Sequence, residues 1–373
     1  MSVIQISEKD ASFRDVLSTS TKDGKRKWIY AQKPKGRYFS TRTVVAVILL
    51  VFLFGAPFVR IGGHPLMLFN IIERKFVLFS VPFWPQDFYL VSIGLLILLV
   101  GIVLFTAVFG RIWCGWLCPQ TIFLEHIFRR IEYIIEGTHT QQRAIDNAPL
   151  TPKKFLKKAL KHSIFFSISF AIANTFLAYI IGSEQLLKIM TSPPAAHLEG
   201  FISILLFTGV FYAVFARFRE QACIVVCPYG RYQSALVDEN TIAVTYDFKR
   251  GEPRGKFTRQ DRQQQLVQID IPVLKEMQPK GDCIDCNQCV SVCPTGIDIR
   301  NGIQLECVNC TACMDACDTV MDKVSRPRGL IRYTSYNAVL NNIKWKFTPR
   351  IISYTAVLVL LMCSFGFLFA SRS

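Results

Sequence analysis

The chain has 373 residues, of which 51% are hydrophobic, and 43 lysines and arginines against 27 acidic residues give it a formal charge of +16. This length leaves room for a membrane part and a soluble part. The basic residues concentrate between apolar spans rather than in one continuous patch, so the charge is explained without nucleic acid as a partner.

The first 41 residues are polar and basic and show no apolar periodicity. We predict a cytoplasmic basic tail over 1–41 that is loose up to Tyr38. No apolar run precedes it, so no cleavable signal peptide is expected.

Five apolar stretches follow, each long enough or nearly so to cross the bilayer as a helix. They lie at 43–60, 88–110, 163–182, 200–217 and 350–370. The tail to Arg42 carries ten basic residues, the segment from Arg111 to His162 nine, and the segment from Arg217 to Arg350 nineteen. The positive-inside rule therefore predicts a cytoplasmic N-terminus and a periplasmic C-terminus.

The second and fourth spans end in the same pattern, C-x3-C-P. It comprises Cys114, Cys118 and Pro119 in one half and Cys223, Cys227 and Pro228 in the other, an offset of 109 residues. Each half therefore reads as a helical hairpin closed at the cytoplasmic surface. The proline disfavours helix at the second cysteine and suits the first turn of a new helix, so each motif predicts a corner.

If the two halves pack about a pseudo-twofold axis, the four corner cysteines converge. Four thiolates suit Cu(I), zinc or an iron–sulfur centre, and we take copper as the working assignment. The alternative is that they are small apolar residues that pack at helix ends. The candidate catalytic and copper-binding residues are Cys114, Cys118, Cys223 and Cys227.

Eight of the thirteen cysteines lie between Cys283 and Cys317, in two runs of spacing C-x2-C-x2-C-x3-C. Bacterial ferredoxins use this spacing for 4Fe-4S clusters, and the fourth cysteine of each run ligates the other cluster. A zinc ribbon would need two C-x2-C pairs rather than two overlapping triplets. We assign Cys283, Cys286, Cys289 and Cys317 to one cluster, and Cys307, Cys310, Cys313 and Cys293 to the other.

Such thiols indicate a reducing compartment, so this stretch should face the cytoplasm. Pro294 follows the first run, whereas Asp318 occupies the equivalent position after the second. Around the runs we predict a strand at 241–247, a Gln-rich helical stretch and short strands near 268–271.

The predicted fold is an α-helical polytopic membrane bundle of five transmembrane helices in two repeated hairpins, with a cytoplasmic α+β dicluster ferredoxin-like domain. The domains are the tail at 1–41, the four-helix membrane repeat with both corners at 42–227, the ferredoxin-like domain at 228–345, and the fifth helix with a short periplasmic end at 346–373.

Three phrases accompany these features: Tyr246-Asp247 with Arg250 to Gly255, Val320 to Lys323, and Pro327 to Tyr333. Together with the five spans, the corners and the eight cysteines, they resemble the CcoG/FixG/RdxA family of accessory proteins for assembly of cbb3-type cytochrome c oxidase. The resemblance implies a bacterial inner-membrane protein that reduces Cu(II) to Cu(I) for the oxidase copper site. Members usually continue into a periplasmic immunoglobulin-like domain, whereas this chain stops at Ser373.

Expected partners are a cytoplasmic electron-donor protein, copper, the oxidase or its assembly factors, and the lipid bilayer. No G-x-G-x-x-G or flavin signature is present, so the electrons should come from another protein. Two other functions remain open at this point: a quinol-dehydrogenase-like relay to a periplasmic acceptor, and a non-catalytic assembly scaffold in which the clusters only stabilise the fold.

Overall fold

The structure is a computed structural model, and it describes most of the chain. The described residues are 17–21, 23–70, 75–83, 88–193, 197–256, 280–342 and 348–371. The predicted strands near 268–271 and most of the predicted Gln-rich helix lie outside these ranges.

Five long apolar helices match the five predicted spans, and each is long enough to cross a membrane. They are α1 (Arg37–Gly55), α2 (Phe88–Phe109), α7 (Pro152–Ile181), α9 (Leu198–Ala213, continued by a π-helical turn over Val214–Phe218) and α15 (Pro349–Ala370). Two of them begin earlier than predicted. Helix α7 begins at Pro152, after the N-cap Thr151, and α1 extends back to Arg37 through a basic turn.

The helices pair differently from the predicted repeat. In the described part of the chain α7 packs along α9, as expected for the second hairpin, whereas α2 packs along α15. Helix α1 instead reaches the α7–α9 pair through Leu50, Leu53 and Phe54, which pack on the cluster around Phe165 and Phe215. The expectation of a first hairpin between α1 and α2 is therefore wrong, because hydropathy identifies spans but not their neighbours.

Short antiparallel strands occupy the connection between α1 and α2. They are β1 (Arg60–Ile61), β2 (His64–Pro65), β3 (Met67–Asn70), β4 (Lys75–Leu78) and β5 (Val81–Phe83). Strands β1 and β2 pair with each other, and β3, β4 and β5 form a three-stranded sheet. Strand β3 packs against α7, so this sheet covers one end of the second hairpin.

A helical segment links α2 to α7. It comprises α3 (Ile112–Trp116), α4 (Pro119–Ile122), a π-helical turn (Phe123–Phe128), α5 (Arg129–Ile135) and α6 (His139–Asn147). One face of this segment is apolar, with Phe123 and Phe128 buried. Helix α6 starts at a capping box of Thr138 and Gln141.

The soluble part is small and is built around the cysteine runs. Helix α8 (Ser183–Thr191) is not part of it and connects α7 to α9. After a π-helical turn (Ala222–Val226), its elements are α10 (Pro228–Leu236), β6 (Ala243–Tyr246), α11 (Phe248–Gly251), α12 (Gln288–Ser291), a 3-10 turn (Ile299–Asn301), α13 (Ala312–Lys323), β7 (Ile331–Thr334) and α14 (Tyr336–Asn341). The predicted strand at 241–247 is β6, which pairs antiparallel with β7.

Residues 17–21 and 23–36 are not loose, contrary to the expectation for the tail. Ser18 Oγ donates to the carbonyl of Thr295 at 2.7 Å, and the Gln32 amide donates to the carbonyl of Ser291 at 2.8 Å. The Trp28 ring lies 4.4 Å from one guanidinium, that of Arg26. The segment therefore fastens the first cysteine loop to the rest of the molecule, and low hydrophobicity alone did not show this.

Candidate iron–sulfur and thiol sites

The two cysteine runs have the same backbone geometry. Positive φ angles occur at Asp285 (51°) and Asn287 (56°) in the first run, and at Asn309 (53°) and Thr311 (64°) in the second. Left-handed residues turn the chain sharply, and Asn and Asp tolerate this conformation better than most side chains do. In each run the second of these residues is the N-cap of the following helix, so the loop and the helix start are repeated together.

The runs line two adjacent cavities, and each cavity takes one cysteine from the other run. We name their cysteines the outer set and the inner set. The outer set is Cys283, Cys286, Cys289 and Cys317. The inner set is Cys293, Cys307, Cys310 and Cys313, with Cys289 also at the wall. This is the crosswise grouping that the ferredoxin spacing predicts.

The two sets differ in access to solvent. Cys286 of the outer set is exposed, whereas no member of the inner set is. Burial raises the pKa of Cys310 to about 11 and that of Cys307 to about 12. Thiols with such pKa values are protonated at neutral pH, so metal binding must release their protons. The residues fit iron–sulfur clusters in number, softness and grouping.

Asp318, which replaces the proline expected after the second run, has a structural role. Its carboxylate accepts a hydrogen bond from the Gly329 amide at 2.9 Å. It also lies within α13, which runs on past Cys317, whereas α12 ends at Ser291, before Cys293 and Pro294. Proline is compatible with the first run, in which the chain has left the helix, and not with the second, in which the helix continues.

The two C-x3-C-P corners are alike in backbone geometry. Cys118 has φ −66° and ψ 122°, Cys227 has φ −67° and ψ 115°, and each is the N-cap of a helix with proline at its first position. The amide of each cysteine donates to the carbonyl five residues earlier, at 3.0 Å and 2.8 Å. The predicted corners are present, and the sequence offset of 109 residues also relates their backbones.

The four corner thiols lie near one another. Cys223 interacts electrostatically with each of the other three, and Cys114 with both Cys118 and Cys227. Burial raises the pKa of Cys114 to about 11, and Gln233 Nε2 donates to its sulfur at 3.3 Å. Sequence reasoning missed Gln233, because nothing in its neighbourhood marks it as a thiol partner.

No preformed site for a single metal ion is present at these thiols. Among the described residues, no three His, Cys, Asp or Glu side chains are arranged to hold one ion. Thiolates around one tetrahedral ion lie roughly 3.8 Å apart, given a metal–sulfur distance of about 2.3 Å. The inner and outer sets likewise contain no such group.

The first corner packs directly on the inner set. A Cβ at Gly115 would lie 2.5 Å from the Val308 carbonyl oxygen, so only glycine allows this approach. Cys114 belongs to the same apolar cluster as Val308 and Cys310. Arg42 Nε donates to the Gly115 carbonyl at 2.6 Å and its Nη1 to the Cys310 carbonyl at 3.1 Å. The structure therefore joins a corner cysteine and an inner cysteine, two features that the sequence separates by about 200 residues.

Buried ion pairs connect the second corner to the helices between α2 and α7. Arg219 Nη1 lies 2.6 Å from Glu132 Oε1, and Arg129 lies 3.3 Å from Glu125 and 3.5 Å from Glu220. Arg219 has a φ of 52° where the first corner has Gly110 at 56°. The pairs of Arg219 with Glu132 and of Arg129 with Glu220 were missed because their members are distant in sequence.

Comparison with known proteins gives two family models. A 4Fe-4S dicluster domain matches residues 218–336, and a 4Fe-4S binding domain matches residues 91–135. The second range contains only two cysteines, Cys114 and Cys118.

Three curated relatives cover most of the chain. The nitrogen fixation protein FixG of Rhizobium meliloti is 35% identical over 328 residues, 86% of this chain and 59% of that protein. RdxA of Cereibacter sphaeroides is 40% identical over 297 residues (78% and 58%), and RdxB of the same organism is 36% identical over 321 (84% and 64%). The chain thus spans about three fifths of their length. No solved structure gives a significant match.

Proposed function

The chain belongs to the FixG/RdxA/CcoG family of membrane iron–sulfur proteins, and on that premise we propose that it reduces Cu(II) to Cu(I) for assembly of the copper site of cbb3-type cytochrome c oxidase. Its electron-transfer role follows from the family and the 4Fe-4S domains. Copper is the substrate: each Cu(II) accepts one electron, and a reduced cytoplasmic electron-carrier protein with a flavin or iron–sulfur centre supplies it.

The proposal assigns the outer and inner sets as ligands of two 4Fe-4S clusters, which when bound supply one-electron storage. The residues around the two sets define an entry side and an exit side for electrons. Exposed Cys286 makes the outer set the side that a donor protein can approach. No cysteine of the inner set is exposed, and the inner set is in contact with the first corner.

One observation carries the copper assignment: Cys114 packs in the same cluster as inner-set Cys310. A corner thiol is therefore a soft ligand that packs against the inner set. Thiolates favour Cu(I) over Cu(II), so Cys114, Cys118, Cys223 and Cys227 would both promote the reduction and retain the product. Copper binding would require the four thiols to close around the ion and release protons.

The proposed setting is the bacterial inner membrane. The excess of Lys and Arg in the connecting segments supports a cytoplasmic N-terminus and ferredoxin-like part, with the C-terminal end of α15 in the periplasm. Cu(I) would pass from the corner thiols to the oxidase or to its assembly factors.

The test measures Cu(I) formation by anaerobically purified, dithionite-reduced protein after excess dithionite has been removed. We expect a Cu(I)-specific chelator to report stoichiometric Cu(I) with the wild-type chain and little with Cys114→Ser/Cys223→Ser, although both retain the same iron content. Cys363→Ser is the matched control, since Cys363 is an exposed thiol in the last span. Full reduction by the double variant would exclude the corner thiols as the copper site.

A second candidate is a relay of the quinol-dehydrogenase kind, in which the corner thiols hold a further iron–sulfur centre. It is favoured by the 4Fe-4S family match over 91–135, whose two cysteines would need Cys223 and Cys227 to complete four ligands. Under this function the double variant loses iron as well as activity, and a quinol analogue reduces the wild-type protein in membranes. Unchanged iron and no quinol-dependent reduction would leave the copper function.

A further inference from the structure

The inner set is surrounded by arginines from the membrane-side elements. Three guanidinium groups donate to backbone carbonyls of the segments that carry inner-set cysteines. The pairs are Arg42 with Cys310, Arg111 with Leu305, and Arg129 with Pro294. Because Leu305 and Pro294 lie beside Cys307 and Cys293 in the chain, the three contacts hold all the segments that bring inner-set ligands.

Arg42 carries a buried charge without a carboxylate. Its side chain is 2% exposed, and its two bonded nitrogens donate only to the carbonyls of Gly115 and Cys310. The third nitrogen, Nη2, is buried and has no hydrogen-bond partner among the described residues. A buried cation left in this state is costly unless an anionic group lies close to it.

Arg111 repeats this arrangement at the second corner. Its Nη1 donates to the Leu305 carbonyl, and its Nη2 donates to the Gly230 carbonyl at 2.6 Å. Within the described part of the chain, neither Arg42 nor Arg111 forms an ion pair with a carboxylate. The two arginines thus link the inner set to both corners and place two positive charges beside it, neither of which is in an ion pair within the described residues.

The charges near the outer set are balanced. Arg300, which interacts with Cys289, forms ion pairs with Asp298 at 2.6 Å and Asp285 at 2.5 Å. Asp318 adds a negative charge next to Cys317. Arg129 on the inner side is also balanced, by Glu125 and Glu220. Glu306, beside Cys307, is also buried and accepts a hydrogen bond from the Ser18 amide at 3.2 Å. Arg42 and Arg111 outnumber this one carboxylate, and the difference between the sets therefore rests on them.

We propose that Arg42 and Arg111 are positioning residues that hold the inner set between the two corners and give a cluster bound there a higher reduction potential than one bound by the outer set. The proposal rests on the assignment of clusters to these two sets. Each added electron makes a thiolate-bound cluster more negative, so nearby uncompensated cations favour its reduced form. An electron accepted at the exposed side is then favoured to reside on the side of the corners.

The experiment is an EPR-monitored redox titration of the purified protein, which reports the potential of each cluster apart from any activity. We expect Arg42→Gln and Arg111→Gln each to lower only the inner-cluster potential, by at least a tenfold change in the one-electron equilibrium, or about 59 mV. Arg37→Gln is the matched control, because Arg37 lies in the same helix and is exposed. It should move neither potential.

Arg42→Lys separates charge from packing. It keeps a cation but loses the planar fork that bonds two carbonyls, so its potential should stay nearer to wild type than that of Arg42→Gln. An equal shift in the two variants would assign the effect to packing and overturn the electrostatic role. If Arg42→Gln does not retain the inner cluster, Arg111→Gln and Arg42→Lys still decide the matter.

Cys286→Ser identifies the outer signal, because Cys286 belongs to the outer set alone. A shift of that signal in Arg42→Gln or Arg111→Gln, or no shift at all, would overturn the proposal. Failure of the copper function is distinguishable: the potentials would still respond to the arginines while Cu(I) fails to form. Absence of both cluster signals in the wild-type chain would overturn the function and this proposal together.

Discussion

The two cysteine runs have the same spacing and the same left-handed turns, yet they lie in different surroundings. The outer set reaches solvent through Cys286 and is flanked by paired charges, whereas the inner set is enclosed and flanked by Arg42 and Arg111. The spacing of each run determines which cysteines can act as cluster ligands. The elements that pack around each set determine which electron donor or acceptor can reach it.

The largest effects should come from the crossed ligands. We expect Cys293→Ser to remove the inner cluster and Cys317→Ser the outer one, each with loss of about half of the iron and sulfide. Iron and acid-labile sulfide analysis with EPR checks this. If Cys293→Ser removed the signal that Cys286→Ser removes, the crosswise assignment would be wrong.

Buried ion pairs near the inner set should matter more than those near the outer set. Arg129→Met leaves the buried Glu125 without its partner and removes one of the three arginines paired with the buried Glu220, at a cost of about 3–5 kcal/mol. Arg300→Met leaves Asp285, whose side chain is 39% exposed, in contact with water, at a cost of roughly 1 kcal/mol or less. Thermal unfolding in detergent compares the two, and equal losses would contradict the difference in burial.

The residue after each run offers a further comparison. Asp318→Pro should cost about 3 kcal/mol or more, because position 318 lies inside α13. Asp318→Asn keeps an acceptor for the Gly329 amide and should cost about 1 kcal/mol. Thermal unfolding and iron analysis measure the effect of each substitution. A stable Asp318→Pro protein would mean that α13 ends at Cys317.

The contact between the first corner and the inner set can be weakened alone. Gly115→Ala places a methyl group within 2.8 Å of two carbonyl oxygens and should cost about 1–3 kcal/mol and slow Cu(I) formation. Gly101→Ala in α2 meets no atom within 4 Å and is the control, with stability unchanged or slightly raised. Equal rates of Cu(I) formation in the two variants would show that the contact between the first corner and the inner set is not needed for electron transfer to copper.

Several features could be predicted because their causes are local in the chain. The five spans follow from runs of apolar residues, the corners from a proline that follows a cysteine, and β6 from a short β-branched and aromatic run. The grouping of Cys317 with the first run and Cys293 with the second followed from spacing, since three thiols of one loop leave a fourth position to a distant residue.

Other features depend on contacts between distant residues, and only the tertiary structure decided them. The partner of α2, the packing of residues 17–21 and 23–36 and the arginines around the inner set are all of this kind. The sequence determined which residues offer sulfur, charge and apolar surface. Folding decided which of them are buried together. Burial lowers the local dielectric constant, and this strengthens the electrostatic effect of Arg42 on Cys310, which is 268 residues away in the sequence.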